Sequence, residues 1–227
     1  MKKHIPNALT CANLFSGCIG VVFAFKGDLN IAAYAVLISG ICDFFDGFAA
    51  RLLHVKSPIG KELDSLADMV SFGFLPGVVM FQLLTQSDFS SPYLPYLGFM
   101  MTIFSALRLA KFNIDTRQTE DFIGLNTPMN TLFIVSLPFI QKDYPALIGS
   151  SVLLVAITVI MSFLLTSEIR IFSLKFSSFK WEPNKIKFIF LILSAILIAF
   201  LQFAAVPFVL VLYIALSLLH FRRVPKL

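Results

Sequence analysis

The chain has 227 residues, of which 58% are hydrophobic and only 14% charged, and its mean hydropathy is +0.86. A soluble domain of this length cannot hide so much apolar surface in one core, so the lipid bilayer is the solvent. The formal charge of +5 does not point to nucleic acid, because the placement of the basic residues answers to membrane topology.

Met1-Lys2-Lys3 resembles the opening of a secretory leader. Asn7, Thr10 and Asn13 interrupt the apolar stretch that follows, and no small-residue cleavage pattern precedes the next span, so a retained first helix is expected. Spans are then expected near residues 8–26, 30–53, 63–85, 93–113, 127–141, 146–166, 186–203 and 206–220, judged against the roughly 20 apolar residues that a crossing needs. From Phe188 to Leu219 the apolar run is almost unbroken. As one helix it would be about 48 Å long, beyond a hydrocarbon core of about 30 Å, and Pro207 is the expected break into a hairpin. Trp181, among Lys180, Lys185 and Lys187, is expected to anchor the preceding connection at the interface.

The charges test this layout independently. With eight spans, only Lys26 and Lys142 of the 18 Lys and Arg residues fall on the far side of the membrane. That bias makes the crowded face cytoplasmic and places both termini there, and an odd number of spans would break it. The expected fold is therefore all-α: a polytopic membrane helical bundle of about eight transmembrane helices, forming a single domain over residues 1–227. Cys11, Cys18 and Cys42 have no metal-ligand spacing and are expected to be packing groups.

The chemistry concentrates between residues 43 and 68. Asp43 and Asp46 are three apart and share one helix face, along which Gly47, Ala50 and Arg51 continue; Asp64 and Asp68 are four apart on the next helix. Pro58 and Gly60 lie in the link, which must reverse the chain. A short reversal is expected to make the two helices antiparallel neighbours and to bring both Asp pairs to one depth near the cytoplasmic boundary. Four carboxylates there repel one another unless cations intervene, and an all-oxygen ligand set favours Mg²⁺, Mn²⁺ or Ca²⁺. Two such ions are a known clamp for a phosphoryl group during in-line displacement. Gly47 and Ala50 leave room for a ligand, and Arg51 can make paired bonds to a phosphate. Intramembrane Asp clusters also occur in divalent-cation transporters, but those sites sit near the midplane, often on interrupted helices. Here the carboxylates cluster at helix ends beside Arg51, which opposes cation passage.

The run Asp43-Phe44-Phe45-Asp46-Gly47-Phe48-Ala49-Ala50-Arg51, followed after eight residues by Gly60-Lys61-Glu62-Leu63-Asp64-Ser65-Leu66-Ala67-Asp68, resembles the complete signature of the CDP-alcohol phosphotransferases. The stretches Asp64 to Gly73, Leu107 to Asn113 and Ile5 to Leu14 are similar to the membrane-integral phosphatidylserine synthase branch of that family. One departure is Asn126, where the branch pattern has proline.

The resemblance implies transfer of a phosphatidyl group from CDP-diacylglycerol to L-serine with release of CMP, assisted by two divalent cations, Mg²⁺ or Mn²⁺. Asp43, Asp46 and Asp64 would hold one ion and Asp43, Asp64 and Asp68 the other, with Asp68 as general base. Gly47 and Arg51 match the nucleotide-binding positions, and Ser57 and Asn7 are further candidate CDP contacts. The carboxylate of serine calls for a cation, for which Arg108, Lys111 and Asn113 at the end of the fourth span are the candidates; Arg170 and Lys175 are possible contributors. Glycerol 3-phosphate or an inositol phosphate is the alternative acceptor. The resemblance also implies a homodimer, and the charge bias places the protein in the cytoplasmic membrane with its active site facing the cytoplasm.

Overall fold

Small and polar residues form the buried face of the first helix. In the computed structural model, which describes residues 4–55, 58–89, 91–117, 121–174 and 180–222, α1 (Ile5–Phe25) buries Thr10, Asn13, Ser16, Gly17, Gly20 and Ala24. Its opposite face exposes Phe15, Ile19 and Val22. Lipid is as apolar as leucine, so large side chains gain little by turning inward, whereas small ones let helix backbones approach closely. A tight turn with Gly27 at φ 83° leads into α2 (Leu29–Leu52), whose first turn is capped by the Asp28 side chain accepting from the Ile31 amide at 3.1 Å.

A second turn, in which His54 adopts φ 52°, precedes a helix that runs from Pro58 to Thr85. It comprises α3 (Pro58–Asp68), a π-helical stretch (Met69–Phe74) and α4 (Leu75–Thr85). The wider π turn leaves carbonyls short of intrahelical partners. Two neighbours supply them: the Thr131 hydroxyl donates to the Phe72 carbonyl at 2.8 Å, and the Thr102 hydroxyl to that of Gly73 at 3.1 Å. Leu75, Val78, Val79, Met80, Leu83 and Leu84 are buried, so α4 runs through the centre of the core.

α5 (Phe99–Ile114, preceded by a 3₁₀ turn at Leu94–Gly98), α6 (Thr127–Asp143) and α8 (Ser151–Thr166) pack against α4; the short α7 (Pro145–Ile148) lies between α6 and α8, and α9 (Trp181–Leu201) pairs with α10 (Ala205–Arg222), which packs on α6. Asn126, the departure noted above, caps α6 by accepting from the Met129 amide at 2.9 Å, a role that proline has no side chain to fill. Two short strands, β1 (Phe122–Ile123) and β2 (Arg170–Ile171), pair antiparallel and tie the α5–α6 connection to the one after α8.

Helices cover all eight expected spans. Five segments among the described residues are long and apolar enough to cross a bilayer: Ile5–Phe25, Leu29–Leu52, Pro58–Thr85, Leu94–Ile114 and Asn184–Arg222. Ser151–Thr166 is a shorter apolar helix. The long C-terminal segment is broken at Gln202–Ala204, not at Pro207. Gln202 takes φ 49°, and Pro207 sits in the first turn of α10, where a missing N–H costs no helical bond. The segment folds back on itself, because the rings of Phe190 on α9 and Tyr213 on α10 lie 5.1 Å apart. Trp181 opens α9, half exposed and stacked on Phe188 at 5.4 Å.

Candidate active site

Asp43 and Asp46 lie near the C-terminal end of α2, and Asp64 and Asp68 in the second half of α3. Carboxylate oxygens of Asp43, Asp64 and Asp68 come within 4.8 Å of one another. Asp46 is not in that group: it is 6% exposed and accepts a hydrogen bond from the Thr10 hydroxyl at 2.6 Å. Three clustered carboxylates of one charge form a hard all-oxygen donor set, which suits Mg²⁺ or Mn²⁺ and not a softer metal.

The helices that carry the two pairs make few direct contacts; α1 packs against both. α2 and α3 thus bring Asp43 beside Asp64 and Asp68 across a gap floored by α1, which small and short polar side chains on its inner face allow. A cavity of about 470 Å³ fills this gap, lined by Asn7 and Thr10 of α1, Asp46 and Gly47 of α2, and Lys61 and Asp64 of α3. A Cβ placed on Gly47 would meet only Arg51 Nη1, at 3.5 Å, so the glycine keeps this wall open. Ala50 and Gly60 also line the cavity. Arg51 is exposed one turn beyond Gly47. Ser57 lies outside the described residues, as does Lys175.

On α5, Arg108 is 7% exposed, with its guanidinium 5.1 Å from the Phe112 ring centroid and its buried Nε without a protein partner. Arg108 and Lys111 line a second cavity of about 310 Å³ together with Asp115, Arg117, Ser167 and Glu168. Arg117 is paired with Asp115 at 2.8 Å and with Glu168 at 3.7 Å. Asn113 is turned to α3 instead: its amide donates to the Ser65 hydroxyl at 2.9 Å, and its carbonyl accepts from Lys61 Nζ at 3.1 Å. Arg170 pairs with Asp121 at 3.6 Å and lies over the Phe221 ring.

Thr10, Asn13 and Lys61 were not apparent as site residues from spacing. Thr10 and Asn13 read as polar interruptions of a span, and their burial at 3% and 0% becomes visible only once α1 is packed against α2 and α3. Asn13 Nδ2 donates to Asp68 Oδ1 at 3.3 Å.

The fold is thus a bundle of helices apolar enough to cross a membrane, with carboxylates that could hold a metal ion gathered beside a cavity. The model of the CDP-alcohol phosphatidyltransferase family matches residues 3–220, and the chain belongs to that family. It is 31% identical over 172 residues to the CDP-diacylglycerol–serine O-phosphatidyltransferase of Bacillus subtilis, covering 74% of this chain and 89% of the relative. To the protein of the same name in Helicobacter pylori it is 29% identical over 196 residues, 85% of this chain and 81% of the relative. The archaetidylserine synthase of Methanothermobacter thermautotrophicus is 29% identical over 161 residues, 69% of this chain and 66% of that protein.

Proposed function

We propose that the protein transfers the phosphatidyl group of CDP-diacylglycerol to the hydroxyl of L-serine, giving phosphatidylserine and CMP. The observation that carries this reading is the approach of Asp43, Asp64 and Asp68 to within 4.8 Å beside a cavity walled by Asp46 and Gly47. The names of the relatives support serine as acceptor.

Asp43, Asp46 and Asp64 would hold one divalent cation and Asp43, Asp64 and Asp68 a second; bound there, Mg²⁺ or Mn²⁺ supplies neutralisation of the diphosphate and of the charge that develops on departing CMP. Asn7, Gly47, Arg51 and Ser57 receive the CDP moiety, with Gly47 admitting it close to the α2 backbone and Arg51 bonding a phosphate oxygen. Asp68 accepts the serine hydroxyl proton as that oxygen attacks the β-phosphorus. The new phosphorus–oxygen bond forms as the bond to the bridging oxygen breaks, and the electron pair leaves with CMP. Arg108, Lys111 and Asn113 are the candidate partners of the serine carboxylate, and burial of Arg108 strengthens such a pairing by excluding water. The acyl chains remain in the bilayer while the headgroup enters at the helix ends.

The same proposal includes a single domain of eight crossings with both termini and the active site on the cytoplasmic side of the cytoplasmic membrane, and a homodimeric assembly. A phosphorylated acceptor, glycerol 3-phosphate or an inositol phosphate, is the second reading, favoured by the meeting of Arg108, Lys111 and Arg117 at one cavity. Purified protein is assayed for CMP release with serine, glycerol 3-phosphate and inositol phosphate in turn. Serine-dependent release is expected; release with a phosphorylated alcohol alone moves the assignment to that acceptor.

A further inference from the structure

The side chain of Asn13 is wholly buried between the two acidic helices, and none of the chemistry above uses it. Three bonds converge on this residue. Its amide donates to Asp68 Oδ1 at 3.3 Å, while its main-chain carbonyl accepts from the hydroxyls of Ser39 on α2 and Ser71 in the π stretch, both at 3.1 Å. Ser39 lies one helical turn before Asp43, and Ser71 three residues after Asp68. One turn beyond Asn13, Gly17 lets α1 come this close: a Cβ there would land on the Ser71 hydroxyl and 3.0 Å from the Ser71 Cα. The same residue of α1 therefore registers the helix bearing Asp43 against the helix bearing Asp68.

We infer that Asn13 is a positioning residue for Asp68, an inference that rests on the phosphatidyl-transfer reading for its catalytic consequence. A carboxylate turns easily about its terminal torsion, whose energy profile is broad. A donor on Oδ1 removes that freedom and gives Oδ2 one direction relative to Asp43 and Asp64. An amide suits the task, since Nδ2 has protons to give and carries no charge that would compete for the cations. Asn13 Oδ1 is buried and has no partner in the protein, so it is also an acceptor in reserve for a donor brought in with ligand. Residues that orient metal-ligating carboxylates typically account for about 10–100-fold in metal affinity or activity.

The test compares Asn13→Ala, Asn13→Asp and Asn13→Gln with Ser39→Ala in purified full-length protein. Mn²⁺ binding is read by electron paramagnetic resonance without substrate, kcat and KM for CDP-diacylglycerol by CMP release, and thermal midpoint by unfolding in detergent. Asn13→Ala is expected to weaken Mn²⁺ binding by about 10–100-fold, and both it and Asn13→Asp, whose added carboxylate can itself take Mn²⁺, to lower kcat with little change in KM. Asn13→Gln, which keeps the donor on a longer arm, recovers part of both. Ser39→Ala shares any loss of midpoint without the loss of Mn²⁺ binding. Wild-type Mn²⁺ binding and kcat in Asn13→Ala overturn the assignment, as does a loss in Ser39→Ala that matches it in every readout. Absence of serine-dependent CMP release in the wild type defeats the proposed function instead, and the Mn²⁺ measurement then still decides the role of Asn13.

Discussion

The Thr10 hydroxyl donates to the Asp46 carboxylate across 2.6 Å, and Asp46 is the one carboxylate of the four that stays outside the group formed by Asp43, Asp64 and Asp68. The hydroxyl has a single proton and two acceptors in reach, Asp46 and the Pro6 carbonyl at 3.1 Å. The charged acceptor is the stronger, so the first helix engages one member of each acidic pair: Asp46 through Thr10 and Asp68 through Asn13.

Thr10→Val keeps the shape of the side chain and leaves the buried Asp46 without its donor. Hydrogen bonds to charged groups contribute about 1.5–3 kcal/mol, so the thermal midpoint of metal-free protein is expected to fall, while Thr10→Ser stays near wild type. Added Mn²⁺ should narrow the gap, because a cation at Asp46 takes over the compensation that the hydroxyl provided. Unfolding followed with and without Mn²⁺ checks this, and coincident melting of Thr10→Val and wild type would show the bond to be immaterial.

The acidic pairs should separate into two phenotypes. Asp68→Asn is expected to retain CDP-diacylglycerol binding and to lose at least about 100-fold in turnover, the low end of what a general base supplies. Asp43→Asn removes a carboxylate proposed for both cations, so Mn²⁺ activation and nucleotide affinity should fall together. Chelation should silence the wild type, with Mg²⁺ or Mn²⁺ restoring it. Binding isotherms and Mn²⁺ titrations of CMP release distinguish these outcomes; full turnover in Asp68→Asn removes it as base.

Gly47→Ala should pull stability and activity in opposite directions. Glycine within a helix costs roughly 0.5–1 kcal/mol relative to alanine, and the new methyl meets only the movable end of Arg51. The thermal midpoint is therefore expected to hold or rise, while KM for CDP-diacylglycerol increases because the cavity wall is filled. An unchanged KM would mean that the nucleotide does not approach this side of α2.

The helices and the two acidic pairs were legible in the chain because helical periodicity is local: residues three or four apart share a face whatever the rest of the protein does. The role of Gly47 as an open wall could be read in the same way, from its place beside Asp46. Where the C-terminal hairpin breaks could not, since Pro207 is tolerated in a first turn and the reversal depends on the backbone of Gln202. Asn113 shows a further limit. Its place after Lys111 says nothing of the hydrogen bonds it makes to Ser65 and Lys61, 48 and 52 residues away in the chain.

By itself the sequence determined a helical membrane protein with acidic pairs facing inward from consecutive helices, and the family that such spacing belongs to. Only the tertiary structure decided that α1 floors the gap between those helices, that Thr10 and Asn13 hold Asp46 and Asp68, and that Asp115, Arg117 and Glu168 join Arg108 at a second cavity. The reason is one of range. A polar residue in an apolar span is costly wherever it lies, but which charge it meets depends on the helix that packs against it, and that choice is made by side chains far away in the chain.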